Sequence, residues 1–404
     1  MRELRQKDFV DVTLLGNYPY DENESMIRYA EMLRKLLSAE GIQVEIIRPE
    51  PFFGRLKRSS HGLGKWLGYI DKYILFPISL RRYVQRRKSA EGKATDEFLV
   101  HICDHSNAIY TRWLQDVPHV VTCHDVMAIM SARGLIPGQT TGGTGRILQS
   151  WILSGLRGAN HIVCVTPESR NDLLRLAPEL ENRSEVIENP LNYPYAPMSE
   201  TEAVAQLEQE FSGAFRAGKD RFLLHVGGNQ WYKNREGVIR IYARFCETYP
   251  EFIRILPVKL VMVGKPPTEA MLRLVSEKGL NEGVIFLTSV SDQQLCAFYS
   301  LAKLLLYPSI KEGFGWPIVE AQACGCPVVT SDLPPMNRLA GSTALLASPE
   351  SESTFVPPIF QMLNESTVQR MVRKEEALRH SQKFEPNMFL DQILKMYGAT
   401  VKKK

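Results

Sequence analysis

Short β-branched or apolar runs alternate with helix-patterned segments from one end of this chain to the other, and that alternation leaves few folds open. Runs at 9–15, 44–47, 98–103, 119–123 and 161–166 read as strands, and a second series follows at 222–227, 259–263, 284–287, 304–307, 328–330 and 344–347. Between them lie stretches such as 25–39, where Met26, Tyr29, Ala30, Met32, Leu33, Leu36 and Leu37 recur at the spacing of one helix face. Such repetition predicts parallel sheets with helices on both faces. The pattern breaks at 189–199 (NPLNYPYAPMS), where three prolines in eight residues can continue neither a helix nor a central strand. We read it as a linker between two doubly wound domains of similar size, which suits a chain of 404 residues at roughly 100–200 per domain.

Composition narrows the function classes. The net charge of +4 is too mild to point to nucleic acid. Seven cysteines make an odd count with no C-x-x-C pair, so neither a zinc ribbon nor a disulfide framework is expected, and a reduced interior is. No stretch of about 18 charge-free apolar residues is present to span a membrane. The first residues (MRELRQKDF) are charged where a signal peptide needs apolar ones, so a cytoplasmic location is expected. Lys402, Lys403 and Lys404 read as a solvated tail.

Ligands of open α/β sheets bind at the carboxyl ends of strands, so the strand-end loops are where chemistry is sought. They are Gly16–Pro19, His124–Asp125, Gly227–Asn234 and Glu312–Glu320. The last is the most informative. Pro317 suits the first turn of a helix, Gly325 its stop, and Gly313 and Gly315 let backbone approach a ligand at a helix N-terminus that favours anions. Glu312 precedes this helix and Glu320 lies inside it, so one carboxylate can serve a sugar and the other a ribose. A capping loop followed by a solvent-exposed glutamate is the plainer reading of either residue alone. His101 and His119, within strands, read as structural. His105 lies beyond a strand end and can face a ligand. Gly142–Gly145 reads as a flexible loop, since no strand precedes it and no Gly-Lys-Ser/Thr follows.

The segment EGFGWPIVEAQACGCPVV resembles the E-x7-E motif of retaining glycosyltransferase family 4, which has the GT-B fold of two Rossmann-like domains facing a cleft. FLLHVGGNQWYKN, KLVMVGK, VIFLTSVSDQQL and LLLYPS follow in that family's order, as do VVTCHD, HIVCVTPESRNDLLR and VIENPLN before them, and KFEPNMFLDQILKMY after. The resemblance implies an acceptor-side domain over 1–192, a nucleotide-sugar domain over 193–383, and a C-terminal helix over 384–404 that packs back on the first. It assigns Glu312 to donor-sugar hydroxyls, Glu320 to the ribose, and the amides of Gly313, Phe314 and Gly315 to the diphosphate. Gly228 and Asn229 also line the donor. Lys233 neutralises the leaving diphosphate, His124 approaches the sugar near the reacting carbon, and Thr288, Ser289 and Val290 flank the base. Gly16, Asn17, His105 and Asp125 fall on the acceptor side. No Asp-x-Asp with metal-ligand character is present, so Lys233 and a helix dipole are expected to do this without metal or other cofactor.

Two departures stand out. Relatives often carry an arginine where Gly228 and Asn229 stand, which leaves Arg235 or Lys265 to supply a second cation. The loop from Gly16 to Ser25 lacks the paired glycines common in relatives. The expected reaction is hexose transfer from a nucleoside diphosphate sugar, UDP favoured over GDP, to a glycan or lipid-linked acceptor, as in polysaccharide biosynthesis. A sugar-nucleotide 2-epimerase and a non-catalytic sugar-nucleotide-binding protein are the alternatives.

The segment 51–93 holds eleven Lys or Arg against Asp71 and Glu91, more than the excess of the whole chain. Leu63, Trp66, Leu67, Ile70 and Ile74 fall on one helical face beside these cations. Either the face packs on the first domain and the cations are solvated, or it rests on an anionic membrane. The charge excess favours peripheral membrane association.

Overall fold

In this computed structural model, which describes residues 11–21, 24–56, 62–90, 98–211, 213 and 215–402, twelve strands form two parallel sheets of six. The first sheet contains β1 (Asp11–Leu15), β2 (Val44–Ile47), β3 (Phe98–Ile102), β4 (His119–Cys123), β5 (His161–Cys164) and β6 (Ser184–Val186), in the order β2-β1-β3-β4-β5-β6. The second contains β7 (Arg221–Gly227), β8 (Val258–Gly264), β9 (Val284–Leu287), β10 (Leu304–Tyr307), β11 (Val328–Ser331) and β12 (Leu345–Ala347), in the order β12-β11-β10-β7-β8-β9. Phe9 and Val10, expected to begin the first strand, lie outside the described residues. The strand β6 escaped the pattern because three residues at a sheet edge, one of them Glu185, carry too little hydrophobic signal.

Every residue of β3 and β4 is buried, as parallel strands covered on both faces require. His101, in the middle of β3, is satisfied there: its ring nitrogens pair with Tyr397 Oη at 2.5 Å and Thr122 Oγ1 at 2.7 Å, and burial pushes its pKa down to about 3. In the second sheet Leu223, Leu260, Met262, Leu304 and Leu306 pack against Ile239, Phe245 and Ile359 from the flanking helices.

The chain divides into two units, 1–192 with 386–404, and 193–385. The C-terminal helix Pro386–Lys402 therefore belongs to the first unit, where Tyr397 meets His101 and Phe389 sets its ring edge-on to Tyr29. Within the second unit the proline-rich stretch is extended, and Tyr195 packs edge-on against Tyr299. Gly143 opens the helix Gly143–Arg157, so the Gly142–Gly145 segment is a helix start rather than a flexible loop.

Each sheet has one position where chain order reverses and the loops on either side diverge, opening a crevice. In the first sheet it lies between β1 and β3; in the second, between β7 and β10.

The basic segment forms one continuous helical run with an internal π turn: Gly62–Ile70, then Asp71–Leu75 with i→i+5 bonding, then Phe76–Ala90. Phe76, Leu80 and Val84 form its buried face. Trp66 and Ile74 are 54% and 56% exposed, so of the two readings of the stripe, packing on the first domain does not hold for these two side chains. The side chain of Leu63 lies outside the described residues.

Candidate functional site

The residues singled out by sequence fall at the carboxyl ends of the two sheets. Lys233 follows β7 and Glu312 follows β10, so the pair straddles the crevice of the second sheet. Lys233 Nζ donates to Glu312 Oε2 at 2.8 Å and to Tyr307 Oη at 2.9 Å; Tyr307 in turn donates to Glu312 Oε1 at 2.6 Å. The Lys233 and Glu312 side chains are only 17% and 5% exposed. Asn234, at φ +54°, turns the chain directly after Lys233 into the helix Arg235–Thr248.

Glu312 leads into the helix Trp316–Ala323. Gly315 caps it at φ +116°, a conformation closed to other residues, and Pro317 occupies its first turn. The amides of Phe314 and Gly315 have no hydrogen-bond partner among the described residues. With Gly313 they lie just ahead of a helix N-terminus, where an anion is favoured. Phe314 is anchored edge-on between Trp316 and Phe384. One turn in, Glu320 is 3% exposed and accepts from Tyr299 Oη at 2.9 Å. Both glutamates are thus buried and held, which the reading of a solvent-exposed Glu after a capping loop does not accommodate.

Arg235, the first residue of its helix, is 3% exposed. Its Nη1 reaches Asn229 Oδ1 and the carbonyl of Lys265, while Nε and Nη2 are buried without partners. Lys265 contributes that carbonyl. Gly228 sits beside the Gln230 side chain at the same strand end. His225, inside β7, donates Nδ1–H to the Leu306 carbonyl at 3.0 Å, and burial first, then the Arg235 and Lys233 charges, push its pKa down to about 3. Thr288 and Ser289 are exposed, Val290 half-buried, after β9; Ser289 adopts φ +57° in a tight turn before the capping box of Ser291.

In the first unit His124 follows β4 and is 6% exposed. Its Nε2–H donates to the Cys103 carbonyl at 2.9 Å, and burial lowers its pKa against the opposing pull of Asp104, so the ring is neutral with its lone pair on Nδ1. Burial works to raise the Asp104 carboxyl, but His105, His124 and hydrogen bonds from the Ser106 amide and Asn17 hold it below the usual carboxylate range. Asn17, buried after β1, also meets Asn107, which donates to the Gly16 carbonyl. His105 Nδ1 lies 3.2 Å from Asp104 Oδ1 without hydrogen-bond geometry. Asp125 accepts the Met127 amide at 2.8 Å, at the first residue of the helix Met127–Ala132.

Tyr307 and Tyr299 were not foreseen; Tyr307 ends the strand that delivers the motif, a position that could have drawn attention, while Tyr299 carries no comparable signal. Asp104 stands out in sequence only as a neighbour of His101, His105, His119, His124 and Asp125, a cluster that invites a metal site, and not as the partner of Asn17. Among the described residues no three His, Cys, Asp or Glu side chains gather as metal ligands would, and no helix is long and apolar enough to cross a membrane.

Of the eleven cations of 51–93, Lys72, Arg87 and Lys88 pair with Asp21, Asp11 and Asp116. Arg55, Lys65, Arg81, Arg82 and Arg86 are exposed, as are Phe52, Leu56, Trp66, Ile74 and Ile78. Lys57, Arg58, Glu91 and Lys93 lie outside the described residues, as do Lys403 and Lys404 of the tail.

Two family models match in succession: "Glycosyltransferase Family 4" over 26–193 and "Glycosyl transferases group 1" over 208–379. The O-antigen chain mannosyltransferase B of Escherichia coli is 25% identical over 317 residues, covering 77% of this chain and 76% of that protein. Among solved structures, sucrose-phosphate synthase from Thermosynechococcus elongatus superposes with a TM-score of 0.71 at 16% identity, over 98% of this chain and 100% of that one. HepE of Anabaena, in complex with UDP and glucose, gives a TM-score of 0.66 at 17% identity, over 96% of this chain and 98% of that one.

Proposed function

This chain belongs to glycosyltransferase family 4 and has the GT-B fold, and from that premise we propose that it moves a hexose from a nucleoside diphosphate sugar to a glycan or lipid-linked acceptor, with retention at the anomeric carbon. The observation that carries the reading is the buried Lys233–Glu312–Tyr307 array across the β7/β10 crevice, beside a helix N-terminus. A leaving diphosphate gains charge as the glycosidic bond breaks, and a cation and amides already in place stabilise that charge more than they stabilise the bound donor.

In the proposed reaction the C1–O bond to phosphate breaks while the acceptor oxygen bonds to C1 from the same face. The acceptor hydroxyl proton passes to the departing phosphate oxygen. Lys233 and the Gly313–Gly315 amides hold the diphosphate, and Arg235 adds buried positive charge at the end of β7. Glu312 accepts from the sugar and Glu320 from the ribose, while the Thr288–Val290 turn flanks the base. Gly228 and Asn229 line the donor. The neutral Nδ1 of His124 accepts a sugar hydroxyl near the reacting carbon, and Gly16, Asn17, His105 and Asp125 belong to the acceptor side. Mannose as the sugar is supported by the name of the E. coli relative, and UDP as the carrier by the ligand recorded with HepE.

The test is a panel of UDP- and GDP-hexoses. The true donor raises the melting temperature, since it binds only the native state. The same donor, labelled in the sugar, then yields transfer or slow hydrolysis, unchanged by EDTA. Loss of turnover in EDTA, with recovery on adding Mg²⁺ or Mn²⁺, would refute the metal-free scheme. An isomerised sugar nucleotide would identify an epimerase, and binding without turnover a sensor.

Peripheral attachment to an anionic membrane is part of the same proposal. Trp66, Ile70, Ile74 and Ile78 recur every four residues along the helical run, three of them exposed, with five exposed cations in the same segment. Each cation near such a surface contributes roughly 1 kcal/mol. Co-sedimentation is expected to rise with the anionic lipid fraction and fall in high salt; binding indifferent to both would remove the electrostatic argument.

A further inference from the structure

Two thiols of the second unit lie against each other behind the helix that carries Glu320. Cys296, on the helix Asp292–Leu301, and Cys324, directly after the helix Trp316–Ala323, bring their Sγ atoms to 3.5 Å. Both are free and buried. The pair is chemically lopsided. Cys296 gives its own proton to the Ala196 carbonyl at 3.0 Å, which leaves Cys324 to donate to Cys296 Sγ. That donation lowers the Cys296 pKa to about 7, while burial and the same contact push Cys324 up. Burial pushes the Cys103, Cys246 and Cys326 thiols up as well, the last to about 12. A thiolate therefore forms first at Cys296, with a second thiol already in contact. Its Sγ touches the extended stretch 194–199, in which Pro194, Ala196 and Pro197 are exposed, so a single thickness of chain covers the sulfur on that side.

The same two helices carry Tyr299 and Glu320. Tyr299 lies one turn beyond Cys296 and Glu320 one turn before Cys324, and the bond from Tyr299 Oη to Glu320 Oε2 crosses the same gap at 2.9 Å. The helices are thus tied at two points a turn apart, and one tie is a pair of sulfurs. A disulfide closes at about 2.05 Å between sulfurs, so its formation draws the two helices together or rotates both side chains. It also takes the Cys296 proton away from the Ala196 carbonyl. The strain reaches Glu320 through the backbone, because the Cys324 amide donates to the Glu320 carbonyl at 3.1 Å.

We propose that Cys296 and Cys324 form a reversible disulfide on exposure to a peroxide, and that this bond displaces the Glu320 carboxylate and weakens nucleoside diphosphate binding. The second half rests on the glycosyl-transfer reading, which gives Glu320 its ligand. The Cys296 thiolate attacks one peroxide oxygen and the O–O bond breaks. Cys296 becomes a sulfenic acid, and the hydroxide released takes up the proton that Cys296 lost. Cys324 Sγ then attacks Cys296 Sγ, the S–O bond breaks, and the departing hydroxide leaves as water with the Cys324 proton. Two thiols are oxidised by two electrons in all, and one peroxide is reduced to two waters. A dithiol such as dithiothreitol reverses the bond by exchange.

The full chain is treated with hydrogen peroxide, digested without reductant and read by mass spectrometry. A peptide linking Cys296 to Cys324 is expected, lighter by two hydrogens than the sum of its parts and lost on adding dithiothreitol. In calorimetric titration the oxidised chain is expected to bind UDP or GDP, whichever the reduced chain takes, roughly tenfold more weakly, the worth of one hydrogen bond to a charged group. Reduction restores the affinity. Cys296→Ser and Cys324→Ala, untreated, are expected to bind the nucleotide as the wild type does, and to lose both the linked peptide and the response to peroxide. No linked peptide, or sulfinic acid at Cys296 in its place, overturns the redox pair. A linked peptide with unchanged nucleotide affinity overturns its action on Glu320. Failure of the glycosyl-transfer reading looks different: the linked peptide forms, but the reduced chain binds neither nucleotide.

Discussion

Lys233→Ala will lower turnover roughly 100- to 1,000-fold, the loss expected when one preorganised partner of developing charge is removed. The ammonium is held by Glu312 and Tyr307, so its place is set by the protein's own side chains. It therefore acts chiefly on the charge that appears as the bond to phosphate breaks, and affinity for the free nucleoside, which lacks phosphate, is expected to stay at the wild-type level. Removing the ammonium also strands a buried carboxylate, so the variant is expected to melt earlier; breaking one partner of such a pair costs about 3–5 kcal/mol. Glu312→Gln added to Lys233→Ala separates the two effects, because it removes the stranded carboxylate from the stability loss while the ammonium stays absent. Steady-state kinetics beside melting curves decide the matter. A Lys233→Ala enzyme with wild-type kcat would end the role given to this residue.

Glu320→Ala will weaken the nucleoside diphosphate about 10- to 100-fold, equivalent to the roughly 1.5–3 kcal/mol of a hydrogen bond to a charged acceptor. The carboxylate is 3% exposed and already accepts from Tyr299, and the ribose would bond to the same group. Tyr299→Phe removes the supporting donor without removing the carboxylate, so it should lower affinity less than Glu320→Ala does. Calorimetric titration with UDP and GDP measures both. Equal affinity in wild type and Glu320→Ala would withdraw the ribose assignment. Glu312→Ala is expected to show the opposite balance, with turnover falling more than affinity.

The parts legible from sequence are those that the backbone dictates locally. Gly315 and Pro317 impose a left-handed cap followed by a first helical turn, so the loop from Glu312 to Glu320 could be placed before any coordinates were known. Central strands such as β3 and β4 announce themselves because a parallel strand covered on both faces must be apolar throughout. Contacts set by how distant elements register against one another are different. Tyr307 holds Glu312 from five residues away, yet that depends on which way the end of β10 faces. Tyr299 reaches Glu320 from a neighbouring helix, and Asp104 meets Asn17 across two strand ends. The charge count over 51–93 treated Asp71 and Lys72 as surface charge. Burial and pairing made them structural instead, because Asp71 sits under three backbone amides and Lys72 against Asp21.

The π turn at Asp71–Leu75 sets Asp71 and Phe76, five positions apart, on the buried side of one helical run. In an ordinary α-helix residues four apart share a side. Deleting a single residue between them would therefore restore regular winding without rotating either flank out of its seat. The residues in that interval include Lys72 and Tyr73. At this point a change in length acts as a change in side-chain placement: one codon lost would shift Lys72 and Tyr73 against the carboxylate and rings they meet, with both flanks still in their seats.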